Sequence, residues 1–407
     1  MPDDTSRGPR ARAFETRLSH LGRPAKKAGK GTVNVPLIRA STVTFPDCAS
    51  LSGARARRLD QYGSYGIHGL ATHHALEDVV AEIEGGDRCA IQGSGLAAIV
   101  VALMAYLKAG DHCLMPDSVY GPTRNLCDTL LKGFGVETTY YDPLIDEAGI
   151  TPLIRANTRV VFAESPGSHS FELQDVPALA RAAHAKGAKL LMDNTWGIRN
   201  FQPFRHGVDV SIQALTKYVV GHSDVLLGSV TVQNAEWPAI KTAHGTLGQY
   251  ASGDDVWLAL RGSRTLAVRL ARQAESGLAV ARWLEARPEV LRVLHPGLPS
   301  HPQHALFKRD FAGSSSLFGV VFRPDYSMAQ VERLIDQLEL FSIGASWGGY
   351  ESLVLPTSGN ITRTATSGDR GGPAMRLHIG LEEPADLIAD LEAGIAGLGA
   401  PVADTES

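Results

Sequence analysis

Apolar and polar positions fall into short alternating blocks along most of the chain. From about Ala75, apolar residues recur at helical spacing through Leu76, Val79, Val80 and Ile83, and Gly85-Gly86 ends the run. CAIQ (89–92) then reads as a short apolar strand, GSG as a turn, and Leu96 to about Leu107 as a helix. HCLM (112–115), VETTYY (136–141), RVVFAE (159–164), KLLMD (189–193), DVSIQAL (209–215) and LLGSVTV (226–232) are further strands. Helices are predicted between them, from about Pro122 to Lys132 and over VPALARAAHAKG (176–187). Such alternation predicts an α/β fold, with a mainly parallel central sheet covered by helices on both faces.

A long helical stretch, about Val256 to Leu284, follows and bridges to a different pattern. Strands near LRVL (291–294), LFGVVF (317–322) and MRLHIGL (375–381), with helices at 328–340 and 385–397, make a smaller α+β unit. The reading divides the chain into an irregular N-terminal arm (1–60) rich in Arg, Gly and Pro, a large domain (61–259) and a small C-terminal domain (260–407). The polar, Gly-rich run PTSGNITRTATSGDRGGP (356–373) predicts a mobile surface loop.

Composition narrows the class. The chain has 407 residues, 44% hydrophobic and 20% charged, with a net charge of -4. That suits a globular protein with a sizeable core, and no broad basic face for nucleic acid is implied. The leading residues MPDDTSRGPRARAFETRLSH carry no apolar segment of a secretory signal, and their acidic residues argue against a transit peptide. No apolar run is long enough to span a membrane. Cys48, Cys89, Cys113 and Cys127 form no CxxC pair, which fits a reducing cytoplasm and core packing. His73-His74 lacks a supporting ligand set, so no metal site is expected.

One apolar run contains a lysine. In SIQALTKYVVGHSD, Lys217 stands among Ile212, Ala214, Leu215, Tyr218, Val219 and Val220. A buried ammonium is costly unless paired or neutralised. Asp193 ends KLLMD and Thr216-Lys217 end the next strand, so both are placed at the strand edge where open α/β sheets bind ligands. At a third strand end, Gly93-Ser94-Gly95 opens a helix, and such an N-terminus suits phosphate. Phosphate cradle, buried lysine and buried carboxylate together suggest pyridoxal phosphate (PLP). The bland alternative is a lysine that snorkels from a strand end and an aspartate that caps a helix.

SIQALTKYVVGHSDVLLGS resembles the Schiff-base segment of the Cys/Met-metabolism PLP enzymes, which have the type I, aspartate-aminotransferase-like fold. VNVPLIRASTVTFPD, YGIHGLATHHALEDVVAEIEGG, SGLAAI, DSVYGPT, LMDNTWG, FSIGASWGGYESL and MRLHIGLEE carry the resemblance from about Thr16 to the C-terminal helix. It implies a carbon–sulfur β-lyase acting on cystathionine or a related cysteine S-conjugate. It also implies roles for individual residues. Lys217 would bond the cofactor, Asp193 would pair with its ring nitrogen, and Tyr120 would stack on the ring and help move protons. Gly95, Leu96 and Thr216 would hold the phosphate. Arg376 would bind the substrate α-carboxylate, with Ser346 and Trp347 beside it. Tyr65 would reach the phosphate of a neighbouring subunit in a homotetramer of dimers with shared active sites.

The chain departs from the family pattern in two places. Ile67 stands where the family has an arginine two positions after the tyrosine, with His68 next to it, and GLAT replaces a GTPT-like run. Ala345 precedes Ser346-Trp347 where some relatives have a tyrosine, which would widen the cleft. Both departures bear on whether the natural substrate is smaller or less polar than cystathionine. The rival activities are γ-elimination or γ-replacement, and amino-acid racemisation. DNTW and SWGGYES favour the β-lyase.

Overall fold

The computed structural model describes residues 12–24, 31–57, 59–359 and 361–401. Residues 1–11, where most of the leader reading falls, lie outside the described residues. The first seven strands are β1 (Arg88–Gln92), β2 (His112–Pro116), β3 (Glu137–Tyr141), β4 (Thr158–Glu164), β5 (Lys189–Asp193), β6 (Val210–Gln213) and β7 (Gly228–Val232). They form one sheet in the order β1-β7-β6-β5-β4-β2-β3. The five from β6 to β3 are parallel, while β7 runs antiparallel to both β6 and β1.

Alternate residues of the parallel strands enter opposite cores. Met115, Phe162, Leu191 and Ile212 face the helix Gly95–Met104 and its neighbours. Leu114, Val161, Ala163, Leu190 and Met192 face the helix Val176–Ala185. With apolar residues on both faces these strands need helices on both sides, as the sequence predicts.

The second sheet contains β8 (Val290–Leu294), β9 (Leu317–Phe322), β10 (Ser342–Ile343), β11 (Leu353–Pro356) and β12 (Ala374–His378), in the order β10-β11-β12-β9-β8. Its own core is built from Phe318, Val320, Phe322, Met375 and Leu377 with Val331, Leu334, Leu387 and Leu391 of its helices.

Three expectations are corrected. The arm is not wholly irregular: Phe14–His20 and Cys48–Ala56 are helices. Phe14 and Leu18 pack on the helix Ala71–Glu84, and Asp47 caps the second helix through the Ser50 N–H at 2.7 Å. The bridge is two helices, Gly253–Ser263 and Leu266–Glu285. Its break is filled by the buried Arg269 guanidinium, which donates to the carbonyls of Gly262, Tyr218 and Val219. The third correction concerns the segment after β11.

That segment is polar, yet it is tied down. Asp117, fully buried after β2, accepts the N–H groups of Thr364 (2.9 Å), Ala365 (2.9 Å) and Thr366 (2.8 Å) and the Thr366 hydroxyl (2.8 Å). It also pairs with Arg124 at 2.6 Å. Arg363 reaches Glu172, and Arg370 reaches the His169 carbonyl and Thr357. Here polar composition marks a laced loop, because its polar groups are satisfied by distant parts of the chain.

Replacing Asp117 with Ala strands Arg124 and three backbone N–H groups. We expect a loss on the order of 3–5 kcal/mol in urea unfolding, with early hydrogen exchange confined to residues 361–370. Burial alone would raise the Asp117 pKa, but the Thr364 N–H, the Thr366 hydroxyl and Arg124 outweigh it and hold the group at about 2. A carboxyl depressed on folding stabilises the fold above its unfolded pKa of about 4. Wild-type stability should therefore carry an Asp117 contribution that drains away as pH falls from about 4 to about 2 and is absent from the Asp117→Ala variant.

Candidate active site

The C-terminal ends of β4, β5 and β6 point to one edge, and each delivers an ionisable group there or just beyond. Glu164 ends β4, Asp193 ends β5 in register beside it, and Lys217 follows β6. The small domain closes the opposite side with Ala345, Trp347 and Arg376. Between them lies an open cleft lined also by Ser94, Gly95, Leu96, Tyr120, Thr216 and His169.

Lys217 Nζ donates to Ser346 Oγ at 2.9 Å and lies 5.4 Å from the Trp347 ring centre. Burial, and then the Arg376 cation, push its pKa down to about 8, against the opposing pull of Asp193. Gly348, at φ +89, brings the small domain onto the lysine's own backbone. A Cβ there would lie 2.8 Å from the Lys217 carbonyl carbon.

Asp193 Oδ1 accepts the Thr195 N–H (3.0 Å) and hydroxyl (2.6 Å), and Oδ2 has no hydrogen-bond partner among the described residues. Burial raises its pKa, partly offset by Thr195 and Lys217. Beneath it, Asn194 is bonded to buried Glu84, which Ser211 and Gln213 also contact. Glu164 takes the Tyr120 N–H at 2.7 Å, and burial beside Asp193 raises its pKa far above the ordinary range.

Arg376 is buried, and its guanidinium reaches only the carbonyls of Gly344, Ala345 and Ser346. No carboxylate among the described residues forms an ion pair with it. Tyr120 is 43% exposed with its ring in the cleft.

At the helix start, Ser94 caps the Ala97 N–H at 3.1 Å, while the N–H groups of Gly95 and Leu96 are first-turn donors left over. A Cβ on Gly95 would meet Ala214 at 2.7 Å, so glycine lets this turn sit against the end of β6.

The cleft thus gathers Lys217, Asp193, Tyr120, Gly95, Leu96, Thr216, Trp347 and Arg376, with Ser346 at the lysine. Thr216 is there, but its hydroxyl is engaged with the backbone of Leu227. Tyr65 is not in this cleft. It lies 51% exposed in a separate hollow with Ile67, Arg39 and Tyr250. Glu164, Thr195 and His169 escaped the sequence reading. Glu164 had a usable signal, since it ends RVVFAE as Asp193 ends KLLMD. His169 sits in a loop with no periodicity to mark it.

The residues fit PLP. A carboxylate with one unused oxygen suits a protonated ring nitrogen, free helix N–H groups suit a phosphate, and a desolvated amine suits the aldehyde.

The pattern defining the Cys/Met metabolism PLP-dependent enzymes matches residues 15–396. The chain is 43% identical to a cystathionine beta-lyase of Bordetella avium over 94% of its length and 97% of the relative's. It is 40% identical to cystathionine beta-lyase MetC of Escherichia coli, over 94% and 98%. The crystal structure of a cystathionine gamma-lyase from Lactobacillus plantarum, complexed with L-serine, aligns with TM-score 0.86 and 29% identity. It covers 95% of this chain and 99% of that one.

An amine near pH 8 should react with acylating reagents well below the ordinary lysine range of about 10.4. In cofactor-free protein, mass spectrometry of the Lys217 peptide should show half-maximal labelling near pH 8. Arg376→Met, by removing a neighbouring cation, should move that midpoint upward.

Proposed function

The chain belongs to the Cys/Met metabolism PLP-dependent enzymes, and on that premise we propose that it is a carbon–sulfur β-lyase. It cleaves L-cystathionine, or a related cysteine S-conjugate, to a thiol, pyruvate and ammonia. The observation that carries this reading is the pairing in one cleft of the desolvated Lys217 amine with a buried Arg376 that no carboxylate among the described residues pairs with. That pairing suits an amino-acid substrate: the guanidinium fork takes the α-carboxylate and sets the α-carbon before the amine. The names of the relatives at 40–43% identity support the same choice.

Bound PLP supplies an electron sink for the charge that develops at the α-carbon. The protein does the rest. Lys217 would hold the cofactor, and its free Nζ would take the α-proton of the substrate. Asp193 would keep the ring nitrogen protonated through its unused oxygen, while Thr195 fixes the other. Gly95 and Leu96 would hold the phosphate with their N–H groups. Thr216 supports this end by its position, its hydroxyl being engaged with Leu227. Tyr120, its main chain held by Glu164, would pack against the ring. Its phenol or the Lys217 ammonium gives a proton to the leaving thiolate. Ser346 steadies the lysine, and Trp347 shields it from water.

The working form is a homotetramer of dimers in which Tyr65 reaches the phosphate in a neighbouring subunit. The exposure of Tyr62, Tyr65 and Tyr250 supports an interface there. Light scattering should give about four chain masses. The free cysteines support a cytoplasmic place of action. Among the described residues no helix is long and apolar enough to cross a membrane.

Product analysis with purified enzyme tests the chemistry. L-Cystathionine should give pyruvate and homocysteine, and Lys217→Ala should reduce turnover by at least about 1000-fold, as expected for a residue serving as both anchor and base. Formation of 2-oxobutyrate and cysteine instead would move the reading to γ-elimination.

A further inference from the structure

His169 lines the cleft on the side facing Arg376 and also lines an adjoining hollow with Ser168, Asp117 and Arg124. Nothing in the chemistry above uses it, yet its placement is built with care. Its backbone is left-handed, at φ +59, a conformation uncommon for a residue with a side chain. The carbonyl that leaves this turn is held by Arg370 at 2.7 Å, and Ser168 before it is held by the Ser118 carbonyl at 2.9 Å. Arg370 in turn belongs to the segment laced to Asp117.

The ring is poised as a donor. Neither ring nitrogen has a hydrogen-bond partner among the described residues, and Nδ1 is the one shut off from solvent. An N–H buried without an acceptor is worse than a buried lone pair facing positive charge, so the proton belongs on Nε2. Burial, and then the cations Arg376 and Arg370, push the pKa down to about 4, so the ring is neutral at physiological pH. The accessible group is therefore an Nε2–H set in a positive field, which suits an oxygen acceptor and above all a carboxylate.

We propose that His169 is a specificity-determining residue that donates Nε2–H to a carboxylate or other oxygen acceptor on the sulfur substituent of the substrate. Ala345 lines the same cleft. This role for His169 rests on the lyase reading, since it assigns the far end of a cysteine S-conjugate. It separates substrates by chemistry. L-Cystathionine carries a distal carboxylate, and S-ethyl-L-cysteine carries none.

The test compares kcat/KM for these two compounds in the PLP-loaded wild type, His169→Asn and His169→Gln. Asn tolerates the left-handed backbone but cannot reach the Nε2 position, while the Gln amide can. His169→Asn should lose about 10-fold or more on L-cystathionine and stay within about twofold on S-ethyl-L-cysteine, with cofactor absorbance unchanged. His169→Gln should recover most of the loss. Equal falls on both substrates, no fall on either, or no recovery with Gln would overturn the proposal. Wild-type turnover of S-ethyl-L-cysteine without L-cystathionine would also overturn it, and leave the lyase reading standing. Turnover of neither by the wild type overturns the lyase reading and this assignment with it.

Discussion

The structure turns on an amine held where water cannot fully solvate it. Lys217 follows the short strand β6, whose neighbours on both sides are longer, so its side chain emerges at the floor of a cleft. Two contacts fix it from the far side. Gly348 presses the small domain onto its main chain, and Arg269 occupies the carbonyls of the two residues after it. Both depend on the bridge helices and the small domain being in place. The two sheets therefore serve one position: the first brings the amine to its edge, and the second desolvates it.

Charge balance at that edge follows from topology. Parallel strands end on the same side, so β4 and β5 place Glu164 and Asp193 next to each other. Two adjacent buried carboxyl groups cannot both ionise cheaply. Lys217 favours ionisation of Asp193, whereas Glu164 has the Tyr120 N–H to offset its burial. Glu164 is thus the more readily protonated of the two, and Asp193 the more readily ionised. Glu164 fixes the Tyr120 main chain by accepting its N–H.

What could be read from sequence was what lay on regular elements. Strand ends identify Asp193 and Lys217 because apolar runs mark β5 and β6 clearly, and the same rule reaches Glu164 once applied to β4. The direction of β7 was not legible, since an apolar run reads the same either way and only pairing shows it antiparallel. The bridge looked continuous because a helical pattern does not record that a distant guanidinium will fill a break. The segment after β11 looked mobile because its partners, Asp117 and Glu172, are some 190 to 250 positions away. His169 lay beyond reach for a related reason: its role depends on an arginine 201 positions later and a backbone angle that no periodicity encodes.

The cleft's excess of positive charge has a consequence for the proposed reaction. Arg376 lowers the Lys217 pKa while it lacks a carboxylate partner. A substrate α-carboxylate docked on Arg376 would cancel much of that field, so the amine would regain basicity as the α-proton arrives before it. Once substrate has freed the amine, its basicity would then depend on a carboxylate being seated on Arg376. Burial, and then the same cation, keep His169 uncharged, so a carboxylate on Arg376 would ease protonation of that ring as well. A second anionic group near His169 would add to the effect.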